Sequence, residues 1–329
     1  MFLFKGPISK YTGYGKVFRN FLKGMDELKI DYLLRPLSNH IPDYTEESIR
    51  DKLKVDMKTP MVGVLLGYGS DVMQLNTPIK LLYTMYETTY FPPDWKSLLG
   101  KCSGLIVPSF FCKELFYGFN KYIYISHPGI DTSIYFPNRK NNKDVYTIGT
   151  AGVMSPRKGV DLLINAYRIA FSNNTNVKLI IKSRDTRMSR FPIEGLNIEV
   201  IDEDWPEDKM AEFYNSLDLF VLPSRGEGLG MTPLEATACG TPSLVTRWSG
   251  MTEYIDDKNI YGIEIDDIVT VPDGNMPING GMWAQPNIKD IAEKMIWFYN
   301  NDVKINFNIN KWSYLTATRN LMEVINRYL

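Results

Sequence analysis

Histidine and cysteine are scarce in this 329-residue chain. Two histidines, His40 and His127, leave little material for a metal cluster or a histidine-based catalytic triad. The three cysteines, Cys102, Cys112 and Cys239, are scattered. No C-x-x-C pair points to zinc or redox chemistry, and an odd number supplies no disulfide framework, so a reducing, cytoplasmic setting is expected. No apolar run approaches a membrane span, and the opening MFLFKGP is far too short for a signal peptide; it reads as a first strand. Charge of one sign is not in excess. With 37 Lys plus Arg against 38 Asp plus Glu, a general nucleic-acid partner is excluded, while a local basic pocket is not. Internal repeats and low-complexity tracts are also missing.

What is present is an ordinary globular composition, 44% hydrophobic and 23% charged, in a chain long enough for two cores. Short apolar runs alternate with helical patterns. Strands are expected at 61–66, 79–86, 104–108 and 122–126 in the first half. In the second half they are expected at 146–152, 177–182, 197–201, 217–223 and 242–246. Amphipathic helices are expected at 160–171 and 208–217. Such alternation implies parallel sheets covered by helices, an α/β protein with two doubly wound, Rossmann-like units. The polar run PNRKNNKD, 137–144, is the expected linker. It bounds a first domain at 1–140 and a second at 141–311. The C-terminal residues 312–329 have apolar positions at helical spacing and should pack on something.

The stretch SRGEGLGMTPLEATACGTP, 224–242, carries Glu227 and Glu235. Thr232 and Glu235 have the spacing of a capping box, with Pro233 at the first helical position and Gly240 then Pro242 ending the helix. Glu235 therefore has a structural reading beside any ligand role. Glu227 has none. It follows a buried strand and sits among glycines that let a ligand approach the backbone. The next helix points its free N–H groups at this loop, which suits phosphate. A carboxylate there would repel phosphate and suits sugar hydroxyls instead, since it accepts two hydrogen bonds.

Arg157 and Lys158 follow the strand at 146–152 and precede a helix, where paired cations oppose the helix dipole unless an anion faces them. Lys182 ends another strand and is either a third cation at that sheet edge or a snorkelling side chain. Gly13 and Gly15 in YTGYGKVF lie between a strand and a helix, but Phe18 stands where a dinucleotide fingerprint needs its third glycine. Glu87 follows the run at 79–86, so it is expected at a strand's carboxyl end, as a surface residue or as a group acting on an acceptor hydroxyl. Trp95 reads as packing and His127 as a structural turn.

In this order the pieces resemble the retaining GT-B glycosyltransferases of family 4, group 1. The matching stretches are TGYG, VPSFFCKELF, HPGIDTSIYFP, RKGVDLLINAY and PSRGEGLGMTPLEATACGTPSLVT, the last holding the family's E-x7-E in Glu227 and Glu235. The resemblance implies two Rossmann-like domains facing each other across a cleft. The first is the acceptor side, the second binds the donor, and the final helix crosses back to the first. It implies a nucleotide-diphosphate sugar donor, a hydroxyl acceptor in a glycan, lipid or small molecule, and no metal or other cofactor. By that pattern Lys158 meets the diphosphate, Glu227 the transferred sugar and Glu235 the ribose. The backbone of Gly228, Leu229, Gly230, Met231 and Thr232 holds phosphate, and Gly13 and Gly15 approach the donor. Val153 stands where the family often has arginine, and Arg157 is its neighbouring substitute. The family's first-half histidine has no clear counterpart, and Glu87 lies in roughly that region. The implied reaction retains anomeric configuration. The leaving diphosphate is stabilised by Arg157, Lys158 and the helix tip, and takes the acceptor's proton.

Rival readings remain. The DED triplet at 202–204 invites a metal-dependent transferase. A nucleotide-sugar epimerase on the same scaffold, an oxidoreductase resting on the imperfect glycine loop, and a sugar-binding module complete the set. Glu227→Ala is expected to abolish transfer without unfolding the chain.

Overall fold

The computed structural model describes residues 1–9, 12–38, 47–53, 60–138, 145–184, 191–272 and 280–329. His40 and residues 139–144 of the expected linker lie outside the described residues. Contact density divides the chain into two compact units. The first comprises Met1–Tyr86, Phe91–Asp131 and Asn310–Leu329; the second comprises Glu87–Tyr90 and Thr132–Ile309.

The first unit runs β1 (Phe2–Gly6), α1 (Gly13–Glu27), β2 (Tyr32–Pro36), α2 (Glu47–Leu53), β3 (Val62–Leu66), β4 (Ile79–Tyr83), α3 (Pro93–Leu99), β5 (Gly104–Val107), α4 (Phe110–Leu115) and β6 (Ile123–Ile125). Its described strands form one parallel sheet of order β2-β1-β3-β4-β5-β6. β3 is buried along its whole length, as expected of a sheet covered on both faces. Thr12 caps α1, its hydroxyl accepting from the Gly15 N–H at 3.0 Å. Phe18, where a fingerprint would need glycine, packs on Phe4 with ring centroids 4.6 Å apart. The place of the third glycine is therefore filled by aromatic packing between α1 and β1.

The expected strand at 79–86 stops at Tyr83. Beyond it the Tyr14 hydroxyl bonds both the N–H and the carbonyl of Met85, each at 3.1 Å, in place of a neighbouring strand.

The second unit runs β7 (Tyr146–Ala151), α5 (Val160–Phe171), β8 (Val177–Ser183), β9 (Ile198–Asp202), α6 (Glu207–Asn215), β10 (Leu219–Leu222), α7 (Met231–Ala238), β11 (Ser243–Thr246) and β12 (Ile260–Ile263). A hairpin follows, β13 (Ile265–Thr270) and β14 (Met282–Pro286), then α8 (Ile288–Asn300). The described strands of the main sheet are parallel, in the order β12-β11-β10-β7-β8-β9. β10 and β7 are neighbours whose sequence positions are not consecutive. They mark the point where the strand order reverses, and the carboxyl ends there are where ligands bind in open α/β sheets.

The chain ends in α9 (Tyr314–Ile325), which belongs to the first unit. It puts Ala317, Leu321, Val324 and Ile325 into the core formed by Phe2, Phe4, Phe18, Phe21 and Met25. Backbone bonds from Ile130 N to Trp312 O (2.7 Å) and Tyr314 N to Ile130 O (2.9 Å) fix its entry. Among the described residues no helix is long and apolar enough to cross a membrane.

Candidate functional site

The carboxyl ends of β7 and β10 deliver two loops that are bonded to each other. After β7, Pro156–Lys158 forms a single 3-10 turn before α5. After β10 comes the run Ser224–Gly230. The Arg225 N–H donates to the Arg157 carbonyl at 2.7 Å, and the Ser224 hydroxyl donates to the same oxygen at 3.1 Å. The Arg225 guanidinium holds the Asp161 carboxylate with two bonds, 2.9 and 2.7 Å, and also reaches the Pro156 carbonyl. A bidentate pair of this kind fixes angle as well as distance. The two loops therefore behave as one surface.

On that surface Glu227 is 6% exposed. Its Oε1 lies 2.7 Å from Lys158 Nζ and 3.1 Å from Arg157 NH1. The Arg157 guanidinium also donates to the Gly226 carbonyl at 2.6 Å. The Glu227 N–H donates to the Ser249 hydroxyl at 2.9 Å. Ser249 is buried and sits at φ 57°, a left-handed conformation that costs energy in a non-glycine residue and so favours a functional constraint. Gly226 cannot be replaced without movement, because a Cβ there would stand 2.0 Å from the Glu87 carbonyl oxygen.

Burial would push the Glu227 carboxyl up, but the charges of Arg157 and Lys158, with hydrogen bonds from Lys158 and Ser224, overcome it and bring its pKa down to about 2. Burial pulls Lys158 towards its neutral form, opposed chiefly by the Glu227 charge 2.7 Å away. The ionised carboxylate at that distance favours the charged form of the lysine. Arg157 and Lys158 share the one Glu227 carboxylate, so that carboxylate leaves one of their two positive charges unbalanced, the sign that suits a diphosphate; Glu87, whose neutral form burial favours, is the only other carboxyl acting on them among the described residues.

α7 departs from the expected capping box. It opens at Met231, two residues earlier, with Gly230 before it and no side chain capping it. Pro233 is thus its third residue. The Thr232 hydroxyl has no partner among the described residues. Glu235 does not turn back to the helix start. It is 2% exposed, and its Oε2 accepts from the Tyr214 hydroxyl at 3.1 Å. An uncapped first turn leaves its N–H groups for an anion, which a capping box would have occupied. The helix end is as expected: Gly240 N to Thr237 O and Thr241 N to Ala236 O, both 3.0 Å, make a Schellman motif.

The structure brings together Arg157, Lys158, Glu227, Glu87 and the run Gly228–Thr232. Glu87 comes from an unexpected direction. It is not at a strand end; it lies four residues past β4 and is packed with the second unit. Burial raises its pKa, with the Glu227 charge adding to the effect and Arg157 and Lys158 opposing it. Lys182 is engaged elsewhere. Its ammonium donates to the Ser183 (2.8 Å) and Glu203 (2.6 Å) carbonyls and lies 4.7 Å over the Trp205 ring. Glu203 of the DED triplet is bonded by the Trp205 indole and by Lys209 at 3.1 Å. Among the described residues no three His, Cys, Asp or Glu side chains gather as metal ligands do.

In the first unit, Gly15 is required by packing, since a Cβ there would meet the Ser9 carbonyl at 2.0 Å, whereas Gly13 is open. His127 bonds the Pro108 carbonyl at 2.7 Å and packs on Trp312, a structural turn. Trp95 packs on Tyr86 and Phe91. Sequence reasoning missed Ser224, Arg225, Asp161, Ser249 and Tyr214. Arg225 alone had a signal, a second charge in the glycine-rich run that carries Glu227.

Residues 131–311 match the model of the family described as glycosyl transferases group 1. An uncharacterized glycosyltransferase of Methanocaldococcus jannaschii is 25% identical over 244 residues, 73% of this chain and 59% of that protein. The chain spans 34–59% of the length of the first curated relatives it matches. Sucrose-phosphate synthase from Thermosynechococcus elongatus has a similar fold, with TM-score 0.72 at 13% identity over 100% of this chain and 99% of that one. So does HepE from Anabaena, solved with UDP and glucose, with TM-score 0.69 at 11% identity over 99% and 100%.

Proposed function

The chain belongs to the group 1 glycosyl transferases, and from that premise we propose that it moves a hexose-type sugar from a nucleotide-diphosphate sugar to a hydroxyl acceptor. The observation that carries this reading is the cluster of half-buried Arg157 and Lys158 on buried Glu227, beside the uncapped start of α7. Its excess positive charge and free helix N–H groups suit a diphosphate, and its carboxylate suits the hydroxyls of the sugar attached to it. The HepE neighbour's UDP and glucose are in keeping with such a donor.

In this reading the donor lies on the second unit. Arg157, Lys158 and the backbone of Gly228–Thr232 hold the phosphates, Glu227 holds the sugar, and Glu235 lies on the ribose side. The bond between the anomeric carbon and the phosphate oxygen loosens as negative charge builds on the diphosphate. Arg157 and Lys158, partly withdrawn from water, stabilise that charge. The acceptor oxygen bonds to the anomeric carbon on the face the phosphate leaves, which retains configuration. Its proton passes to the departing phosphate oxygen. Glu87 accepts the hydrogen bond of the acceptor hydroxyl and orients it. No metal is required, because the two cations supply the neutralisation.

The test is a screen of UDP-, GDP-, ADP- and dTDP-sugars against a mixed panel of hydroxyl acceptors, with and without EDTA. Products are read by mass spectrometry and their anomeric configuration by NMR. One donor should be consumed, its sugar should appear on an acceptor with unchanged configuration, and EDTA should have no effect. Inverted product, or activity lost to EDTA and restored by manganese, contradicts the mechanism. An epimerised donor formed without acceptor contradicts the transferase reading.

A further inference from the structure

Residues 87–90 form a strap held by the hairpin β13–β14. The Thr89 N–H donates to the Met282 carbonyl at 3.2 Å, and the Met282 N–H donates to the Thr89 hydroxyl at 2.8 Å. Gly281 lets the strap approach. A Cβ there would stand 2.7 Å from Tyr90 N and 2.8 Å from Tyr90 Cβ, and its φ of 81° disfavours any other residue. Inside the strap the buried Thr88 hydroxyl donates to the Tyr90 carbonyl at 3.0 Å.

At its other end the strap lies on the loop that carries Glu227. The Glu87 carbonyl abuts Gly226 so closely that a Cβ would meet it at 2.0 Å. The hairpin is tied to the same loop. The Ala284 N–H donates to the Arg225 carbonyl at 2.9 Å, and the Arg225 guanidinium lies 5.7 Å over the buried Trp283 ring. Strap, hairpin and Glu227 loop thus form a closed ring of contacts. Among the described residues β13 and β14 pair with each other and not with the six-stranded sheet, so strand pairing in that sheet does not account for the hairpin's twin attachment.

We infer that the hairpin is a working part of the site, with Thr89 and Gly281 as positioning residues that hold the Glu87 carboxyl beside Arg157, Lys158 and Glu227. Where Glu87 is held does not depend on the transferase reading; what it does there rests on it. A group held by packing within about an ångström of its working place loses roughly 10- to 100-fold in rate when that packing is loosened. Among the described residues, the charged groups that act on Glu87 are Arg157, Lys158 and Glu227, and the hairpin residues that meet the strap are Gly280, Gly281 and Met282, none of them titratable. Burial is the main reason Glu87 titrates high. Loosening the strap admits water and lowers its pKa.

Two measurements on the full chain test this. The first is a carbon-13 NMR titration of glutamate-labelled protein, with the Glu87 resonance assigned by its loss in Glu87→Gln. Its midpoint should lie above that of ordinary glutamate, fall towards it in Thr89→Val and Gly281→Ala, and recover in Thr89→Ser. Thr89 is exposed, so its variants should fold even where Gly281→Ala does not. An ordinary midpoint in the wild type, or one unmoved by Thr89→Val, overturns the inference. The second is turnover. Thr89→Val should lower kcat roughly 10- to 100-fold, leave affinity for the nucleoside diphosphate unchanged, and add nothing in a Glu87→Gln background. An equal further loss in that background means the hairpin acts on something else and overturns the inference. A wild type whose Glu87 titrates as expected but which transfers no sugar overturns the proposed function alone.

Discussion

Glu227 and Glu87 show how two carboxyls of one site are driven apart. Glu227 is depressed to about 2 by its two cations, while Glu87 is raised by burial. For Glu227, the stability it contributes is complete above the ordinary glutamate pKa near 4.5 and is lost as pH falls through about 2. For Glu87 the sign is opposite: the fold favours its protonated form, so stability drops as pH rises from the ordinary value through the raised one. Acid unfolding followed by circular dichroism should therefore show a Glu227 contribution of about 3 kcal/mol that is absent in Glu227→Gln. The sequence alone suggested that Glu227→Ala would spare folding. The structure adds a cost, because removing one member of a buried ion pair leaves charges unpaired, typically about 3–5 kcal/mol. Pyrophosphate should return part of that loss by occupying Arg157 and Lys158, and thermal melts with and without it would check this.

At the scale of elements, the two loops after β7 and β10 are legible in the sequence because each is local: a strand, a few small residues and a helix. What joins them is not local. The Arg225–Asp161 pair spans 64 residues and the Thr89–Met282 pair 193. No periodicity or spacing reports such contacts. The hairpin itself was missed because Ile265–Thr270 mixes charged and apolar residues without a clean alternation. The capping box was misread for a similar reason. T-x-x-E spacing permits reciprocal bonds but does not compel them, and here Tyr214 takes the Glu235 carboxylate. Arg225→Lys keeps the charge and loses the fork that grips Asp161 and Pro156. It should lower turnover by more than it lowers the melting temperature would suggest, because the two loops would no longer move as one. Kinetics and melting of the same preparation check this, and unchanged turnover would contradict the clamp.

At the scale of the whole molecule, composition and strand–helix alternation were enough to read two parallel α/β sheets, and the structure shows them. The return of Asn310–Leu329 to the first unit is as the family resemblance implied, whereas the passage of Glu87–Tyr90 from the first unit's contacts to the second's was not legible. α9 supplies four buried side chains to the first unit's core. Deleting residues 310–329 should therefore unfold that unit while the second still binds nucleoside diphosphate, seen as loss of one melting transition with titratable binding retained. The central claim is narrower: Arg157, Lys158 and Glu227 hold and split a nucleotide-diphosphate sugar. The most direct measurement is the rate of acceptor-dependent sugar transfer by wild type and Glu227→Gln, alongside nucleoside diphosphate affinity. The account predicts a loss of roughly 100-fold or more in transfer with diphosphate still bound. Near-normal transfer by Glu227→Gln would contradict it.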